Sequence, residues 1–499
     1  MGSSELHALP AVELARRVRE RAVSPVELTE AHIARIEAVN PHLNAVVAQR
    51  FEAALEEARA AEAQLMRGSP EELPPFFGVP CTIKELIAVR GMPHTAGVVA
   101  RRSIFAAEDA PQVERLRRAG CIILGVTNVS EAGLWLETYN RIYGRTNNAH
   151  SVDHISGGST GGEGAIIGAG GSPLGLGADI GGSIRNPCFF NGIFGHKPSG
   201  GLLPSRGHWP EAGPRRGRYC VTGPMGRSTR DLIALMEALS LDDDPHRDLG
   251  RPRFRALTGL RPEEVTIHWF DDNGIASPSD ELRENLERTV LRLEGIGFRT
   301  ERFRPLKMPR AAEIWGAVIS TSEEESVREI LGNGAPIDLW REWLRLPLGR
   351  SNHFFISLMM ASLERVAKLT PGRTAKLIAM AQQMYAEIEA RLGPRGVILC
   401  PPYPRAAPRH DGPLLSPFSF SYCGIWNALE MPATAVPTGF TEEGLPLGVQ
   451  IVGLRFQDPL TLWVGSALEQ AQDAWRPGPR RPYREVQDRR VGGPGRSGR

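Results

Sequence analysis

Long apolar runs, paired cysteine motifs and an excess of charge of either sign are all missing from this 499-residue chain, and each gap excludes a class of protein. No window reaches the roughly 18 consecutive apolar residues that a membrane span needs. The opening MGSSELHALP passes straight into an Arg/Glu-rich amphipathic pattern without the apolar stretch of a signal peptide, and Leu6 stands where myristoylation needs Ser or Thr. Basic and acidic residues number 59 and 57, a net charge of +2, so there is no global field to capture nucleic acid or an anionic membrane, and a small neutral substrate fits better. Cys81, Cys121, Cys188, Cys220, Cys400 and Cys423 show no CxxC spacing and form no zinc pattern with neighbouring histidines. They read as buried apolar residues of a reducing compartment, and the expected location is cytoplasmic.

Lysine is scarce as well: Lys84, Lys197, Lys307, Lys368 and Lys376 are the only five, the other basic residues being arginine. A lysine in an apolar or glycine-rich setting is therefore conspicuous.

What is present is an alternation of helical and strand patterns, which argues for an α/β sheet covered by helices. Residues 1–75 read as a helical lead-in, with Ser24-Pro25 as an N-cap followed by proline at the first helical position. From residue 76 the texture changes to short apolar runs punctuated by Gly and Pro, such as FFGVPCTIKE and CIILGVTN, the second a buried strand after a helix over 111–119. Residues 76–240 form the expected catalytic core, 241–395 a mainly helical insertion shaping substrate access, and 396–474 a return to the same sheet through GVILCPPYP and PLGVQIVG. The tail over 475–499, rich in Arg, Pro and Gly, reads as a solvated end.

The chemistry concentrates between Gly157 and Gly207, where 17 glycines suit close backbone approach to a ligand, or backbone amides used as donors. SGGSTGGEGA over 156–165 lacks the GK[ST] of a phosphate loop, and GLGADIGGSIRNP over 175–187 does not match G-x-G-x-x-G. The second loop instead puts Ser183 where a strand hands over to a helix, after Gly181 and Gly182, whose amides and helix N-terminus suit a developing oxyanion. A tight turn with a serine N-cap is the competing reading, and two such loops 24 residues apart weigh against it. No G-x-S-x-G elbow is present, and His196, 13 residues past Ser183, lies beyond the same short helix. Lys84 is the better base, because Val79, Ile83, Leu86 and Ile87 surround it and burial disfavours its ammonium form. Lys197, in the Gly/Pro turn GHKPSGG, is expected to stay hydrated, charged and structural.

Together these segments resemble the amidase signature family. GGSTGG at 157–162 and GADIGGSIRNP at 177–187 match its defining stretch, GVPCTIKE matches its lysine motif, and the likeness extends through GVTNVSE, LEMPATAVPTGF and GLPLGVQIVG. LWLETYNRIYGRTNN, GGEGA and FFNGIFGHKPS are most similar to the fatty-acid amide hydrolase branch, its second type. The resemblance implies the amidase signature fold, a large mixed central sheet with helices on both faces. It also implies Ser183 as nucleophile, Ser159 as bridging serine after a cis peptide, and Lys84 as base. Ile180, Gly181, Gly182 and Ser183 would supply oxyanion amides, Thr160 a supporting hydroxyl where many members have a second serine, and Asp179 and Arg185 a loop-fixing ion pair. No metal or cofactor is required, and the partner is a small-molecule amide. A homodimer is compatible with the resemblance. Residues 352–363 are expected either to line an acyl pocket or to pack in the core. The alternatives are a broad aryl-acylamidase or esterase and the ammonia-supplying subunit of a tRNA-dependent amidotransferase.

Overall fold

The computed structural model describes residues 6–472 apart from 212, 214, 241–258, 323–324 and 368–370; the tail predicted from residue 475 lies outside them. Its frame is an eleven-stranded mixed sheet. In chain order the strands are β1 (Val46–Gln49), β2 (Pro80–Lys84), β3 (Ile122–Thr127), β6 (Leu174–Asp179), β7 (Phe194–Lys197), β8 (Val221–Gly226), β9 (Thr266–Trp269), β10 (Arg299–Arg302), β11 (Gly396–Cys400), β12 (Ala433–Phe440) and β13 (Pro446–Val452). A separate two-stranded ribbon pairs β4 (Tyr139–Asn140) with β5 (Gly144–Arg145). The order across the main sheet is β1-β3-β2-β6-β8-β7-β12-β13-β11-β9-β10. Strands β2, β3 and β6 run parallel, as do β9, β10 and β11, while the pairings between β6 and β12 are antiparallel.

Ser24 caps the helix Pro25–Leu43, its Oγ accepting from Glu27 N–H at 3.0 Å, an arrangement typically worth about 1 kcal/mol. The helix Pro111–Arg118 precedes β3, and the helices Asp280–Ile296 and Pro371–Leu392 occupy the segment expected to be helical. The described part of 241–395 also contributes β9 and β10 to the main sheet, and 1–75 contributes β1; strands of four residues carry too little alternation to show in the sequence.

The sequence of β6, LGLGAD, shows why helices can sit so close to this sheet. Leu174, Leu176 and Ala178 face a core shared with Leu232, Leu235 and Met236 of the helix Thr229–Leu239 and Leu460 and Val464 of the helix Asp458–Gln470. Gly175 and Gly177 face the other way. A Cβ on Gly177 would lie 2.8 Å from Thr160 Cγ2, and one on Gly175 would collide with the Glu163 carboxylate. The missing side chains let the helix Gly161–Gly168, and the residues just before it, press onto the strand. Ile166, Ile167, Ile184, Cys188 and Met225 fill the layer on this second face. Gly175→Val is therefore expected to lower the unfolding free energy by about 1–3 kcal/mol in urea titration, with Leu176→Met, which keeps side-chain volume on the opposite face, costing clearly less.

Candidate active site

Lys84 is the last residue of β2 and is fully buried. Its Nζ lies 2.7 Å from Ser159 Oγ, 2.8 Å from Thr160 Oγ1 and 3.3 Å from Ala178 O. Burial pushes its ammonium down to about 7, against the opposing pull of Cys220, Asp179 and Glu163. Both protonation states are satisfied by this cage. The ammonium donates to all three oxygens, whereas the neutral amine can donate to Thr160 and Ala178 and turn its lone pair toward the Ser159 hydroxyl. Thr160 completes the cage by donating its own hydroxyl to Ala178 O at 3.1 Å. The Gly158–Ser159 peptide is cis.

Ser183 follows the turn after β6 and is 8 % exposed. Among the described residues its hydroxyl makes no hydrogen bond, so the structure joins Lys84 to Ser159 directly and does not extend that chain of contacts to Ser183. The loop before it is clamped from beneath by Asp179, whose Oδ1 accepts from Gly182 N–H at 2.7 Å and whose Oδ2 accepts from Ile184 N–H at 3.0 Å. Asp179 and Arg185 form a fully buried ion pair at 2.9 Å. Burial alone would raise the Asp179 carboxyl; the Arg185 charge and hydrogen bonds overcome that and hold it well below the usual carboxylate range. Because the Gly182 amide is engaged by Asp179, the N–H groups of Ile180, Gly181 and Ser183 are the ones without a hydrogen bond among the described residues. Gly182 sits at φ +114°, where a Cβ would lie 2.7 Å from Cys423 Cβ.

The remaining candidates sort clearly. His196 is buried away from Ser183, its ring nitrogens bonded to Thr434 Oγ1 at 2.9 Å and Asp458 Oδ1 at 3.2 Å. Lys197 corrects the expectation of a hydrated ammonium: it is 1 % exposed, its Nζ donates to Pro198 O at 2.8 Å, and burial with the nearby Arg185 charge pushes it down to about 7. Strand β7 pairs on both sides, with β8 and β12, and carries this lysine inward. All six cysteines are unpaired and buried. Residues 352–363 straddle the start of the helix Phe355–Ala367, and His353 Nδ1, Phe354 N and Ser357 Oγ converge on the buried Glu131 carboxylate. Two residues after Glu131, a Cβ on Gly133 would lie 3.6 Å from Ser159 Oγ. The segment is thus docked beside the site through a carboxylate that sequence reading did not single out.

Two further residues went unnoticed in the sequence. Glu163, in the first turn of the helix Gly161–Gly168, accepts from Thr82 Oγ1 at 2.8 Å and Thr127 Oγ1 at 3.0 Å, so it ties the helix after Ser159 to β2 and β3. Burial pushes its carboxyl up to about 8 against those hydrogen bonds and the Lys84 charge. The lone acid inside GGSTGGEGA was the available signal. Trp315, on the helix Ala311–Ser320, donates its indole N–H to Ile180 O at 2.7 Å. Among the described residues no group of three or more His, Cys, Asp or Glu is placed to hold a metal ion, and no helix is long and apolar enough to cross a membrane.

A family model described as Amidase matches residues 27–462, a span that includes every residue of this cage and loop. The chain belongs to the amidase signature family. This amidase is 38 % identical over 491 residues to fatty-acid amide hydrolase 2-A of Danio rerio, covering 95 % of this chain and 90 % of that protein. It is 36 % identical over 483 residues to fatty-acid amide hydrolase 2 of Homo sapiens, covering 94 % and 90 %. Among solved structures, 6-aminohexanoate cyclic dimer hydrolase complexed with substrate superposes with a TM-score of 0.79 at 24 % identity, over 94 % of this chain and 99 % of that one, which bears out the expected fold. The protein is accordingly a hydrolase of amide bonds.

Lys197 offers a test that leaves the amidase chemistry alone. Its folded pKa of about 7 lies below the roughly 10.4 of an unfolded lysine, so the unfolded chain binds more protons between those values. The destabilisation from burying this lysine then grows as pH falls from about 10.4 to 7 and is constant below. Lys197→Met is expected to keep kcat within a few-fold, while its melting temperature relative to the unsubstituted protein rises as pH is lowered through that window.

Proposed function

We propose that this amidase cleaves acyl amides, fatty acyl amides foremost, through Ser183, Ser159 and Lys84 by way of an acyl-enzyme. The observation that carries the reading is the dry cage in which an amine titrating near neutrality lies 2.7 Å from the Ser159 hydroxyl. Neutral Lys84 takes the proton of Ser159 as Ser159 takes that of Ser183, and the Ser183 oxygen attacks the substrate carbonyl. The oxyanion is received by the N–H groups of Ile180, Gly181 and Ser183, the Gly182 N–H being already committed to Asp179 Oδ1. Reversal of the relay protonates the leaving nitrogen, the C–N bond breaks, and water repeats the cycle to release the acid and free Ser183. Asp179 and Arg185 fix the loop, and Thr160 keeps Lys84 aimed in either protonation state.

The fatty acyl preference is supported by the extent of the likeness to the two fatty-acid amide hydrolases and by the aromatic pair Trp315 and Phe420 beside Gly181, whose rings meet edge-on at 4.7 Å. Apolar walls next to a nucleophile suit an alkyl chain better than a charged acyl group.

A series of p-nitroanilides and primary amides from acetyl to long-chain and aryl acyl groups tests this reading. Rates are expected to rise with chain length, and Ser183→Ala to lower kcat by at least about 10⁴-fold. Since Lys84 acts as the neutral amine, kcat/KM should climb with pH and level off above a midpoint near 7. A preference for short or aromatic acyl groups would indicate a broad aryl-acylamidase, and hydrolysis that survives in Ser183→Ala would remove the mechanism.

A further inference from the structure

The peptide between Ile180 and Gly181 carries one of the free amides beside Ser183, yet nothing inside its own loop holds it. In a trans peptide the C=O and the following N–H point in opposite directions, so whatever grips Ile180 O decides where Gly181 N–H aims. That grip comes from 135 residues away: the Trp315 indole N–H donates to Ile180 O at 2.7 Å. The next peptide along is held from the other side, by Gly182 N–H donating to Asp179 Oδ1 at 2.7 Å. Gly181, between the two, has no Cβ to resist rotation. A flip of the Ile180–Gly181 peptide would replace a donor with a carbonyl oxygen at the place where negative charge develops.

Trp315 is itself well fixed. Its ring meets Phe420 edge-on at 4.7 Å, and it lies so close to Gly424 that a Cβ there would stand 3.1 Å from Trp315 Cδ1. On its other side a Cβ on Gly181 would be 3.4 Å from Trp315 Cζ2, so the indole lies flush against the peptide whose carbonyl it binds. Its helix, Ala311–Ser320, packs against the helices Ser421–Ala428 and Pro371–Leu392.

We propose that Trp315 is a positioning residue of the oxyanion site, its indole N–H holding the Ile180 carbonyl so that the Gly181 amide stays turned toward the reacting carbonyl. The proposal rests on Ser183 being the nucleophile. It assigns the helical segment a part in catalysis separate from enclosing the acyl chain, because a wall acts through its surface and this residue acts through a single donor.

The test compares the unsubstituted enzyme with Trp315→Phe and with Trp315 replaced by 3-benzothienylalanine, which keeps the bicyclic outline and exchanges the N–H for sulfur. Each is assayed on the best p-nitroanilide, and each is titrated with a trifluoromethyl ketone of the same acyl group, which adds Ser183 to form a bound oxyanion. The expected result is a kcat about 10–100-fold lower in both variants, less than the about 10²–10³-fold that follows removal of an oxyanion donor itself. KM should stay within about threefold, and the ketone should weaken in proportion to kcat/KM. Unchanged kcat with altered KM or chain-length preference would overturn the proposal and leave Trp315 as a pocket wall. Should the phenylalanine variant fail to fold, the sulfur isostere decides alone. Ser183→Ala separates the two levels: if it retains the parent hydrolysis, the reading of Ser183 and this inference fall together, whereas full kcat in the isostere with an inert Ser183→Ala removes the inference only.

Discussion

The site depends on one buried ion pair. Asp179 and Arg185 are both fully enclosed, and a carboxylate and a guanidinium are tolerated there only because nearly every lone pair and N–H they own is matched. Arg185 donates to Asp179, to Cys423 O at 3.0 Å, to Gln450 Oε1 at 3.0 Å and to Asn427 Oδ1 at 2.5 Å. Those partners come from β6, β13 and the helix Ser421–Ala428, so the pair joins the Gly-rich loops to a helix and a sheet strand that the chain reaches 238 to 265 residues later. Asp179 converts that anchorage into loop geometry by taking the amides of Gly182 and Ile184. Removing either partner would leave an uncompensated charge in a dry site, a loss of about 3–5 kcal/mol, and would release the turn that presents Ser183.

Desolvation does the rest of the electrostatic work. Burial displaces Lys84, Glu163 and Lys197 alike toward their neutral forms, to about 7, 8 and 7 respectively. Only Lys84 among them has a hydroxyl of the serine loops in reach. Titration near neutrality therefore does not single out a base by itself; what sets Lys84 apart from the other two is its contact with the Ser159 hydroxyl. Glu163 shows the structural use of a similar environment, joining the helix Gly161–Gly168 to two strands through Thr82 and Thr127.

The sheet class, the two serine loops and the lysine were legible because each leaves a local mark. GGSTGG and GADIGGSIRNP demand close backbone approach, and Lys84 stands among apolar neighbours in a chain poor in lysine. The sequence also carried the Asp179–Arg185 pairing, six residues apart in one loop. It did not carry the contacts that span the chain. Trp315 meets Ile180 across 135 residues and His353 meets Glu131 across 222, and nothing in the spacing of either segment encodes the partner. Lys197 misled for the opposite reason: its Gly/Pro surroundings read as a solvated turn, whereas β7 lies between β8 and β12 and has no wet face there. The engagement of the Gly182 amide was invisible too, since a run of glycines gives the number of available donors and not their directions.

The two ends of the sheet set a limit on what the fold can join. At one end β10 reads Arg-Thr-Glu-Arg over 299–302, with Arg391 on Glu301 at 2.6 Å and Arg302 within 3.4 Å of Asp271. At the other, β1 is four residues long and its pairing with β3 slips between Val46 and Ala48. A foreign strand arriving at β10 would have to strip hydrated guanidinium groups, and one arriving at β1 would find a short ladder with an irregular register. Only the two margins of an eleven-stranded sheet leave backbone unpaired, and here both are four-residue strands, so the sheet that carries the active site presents little ladder for a further strand to extend.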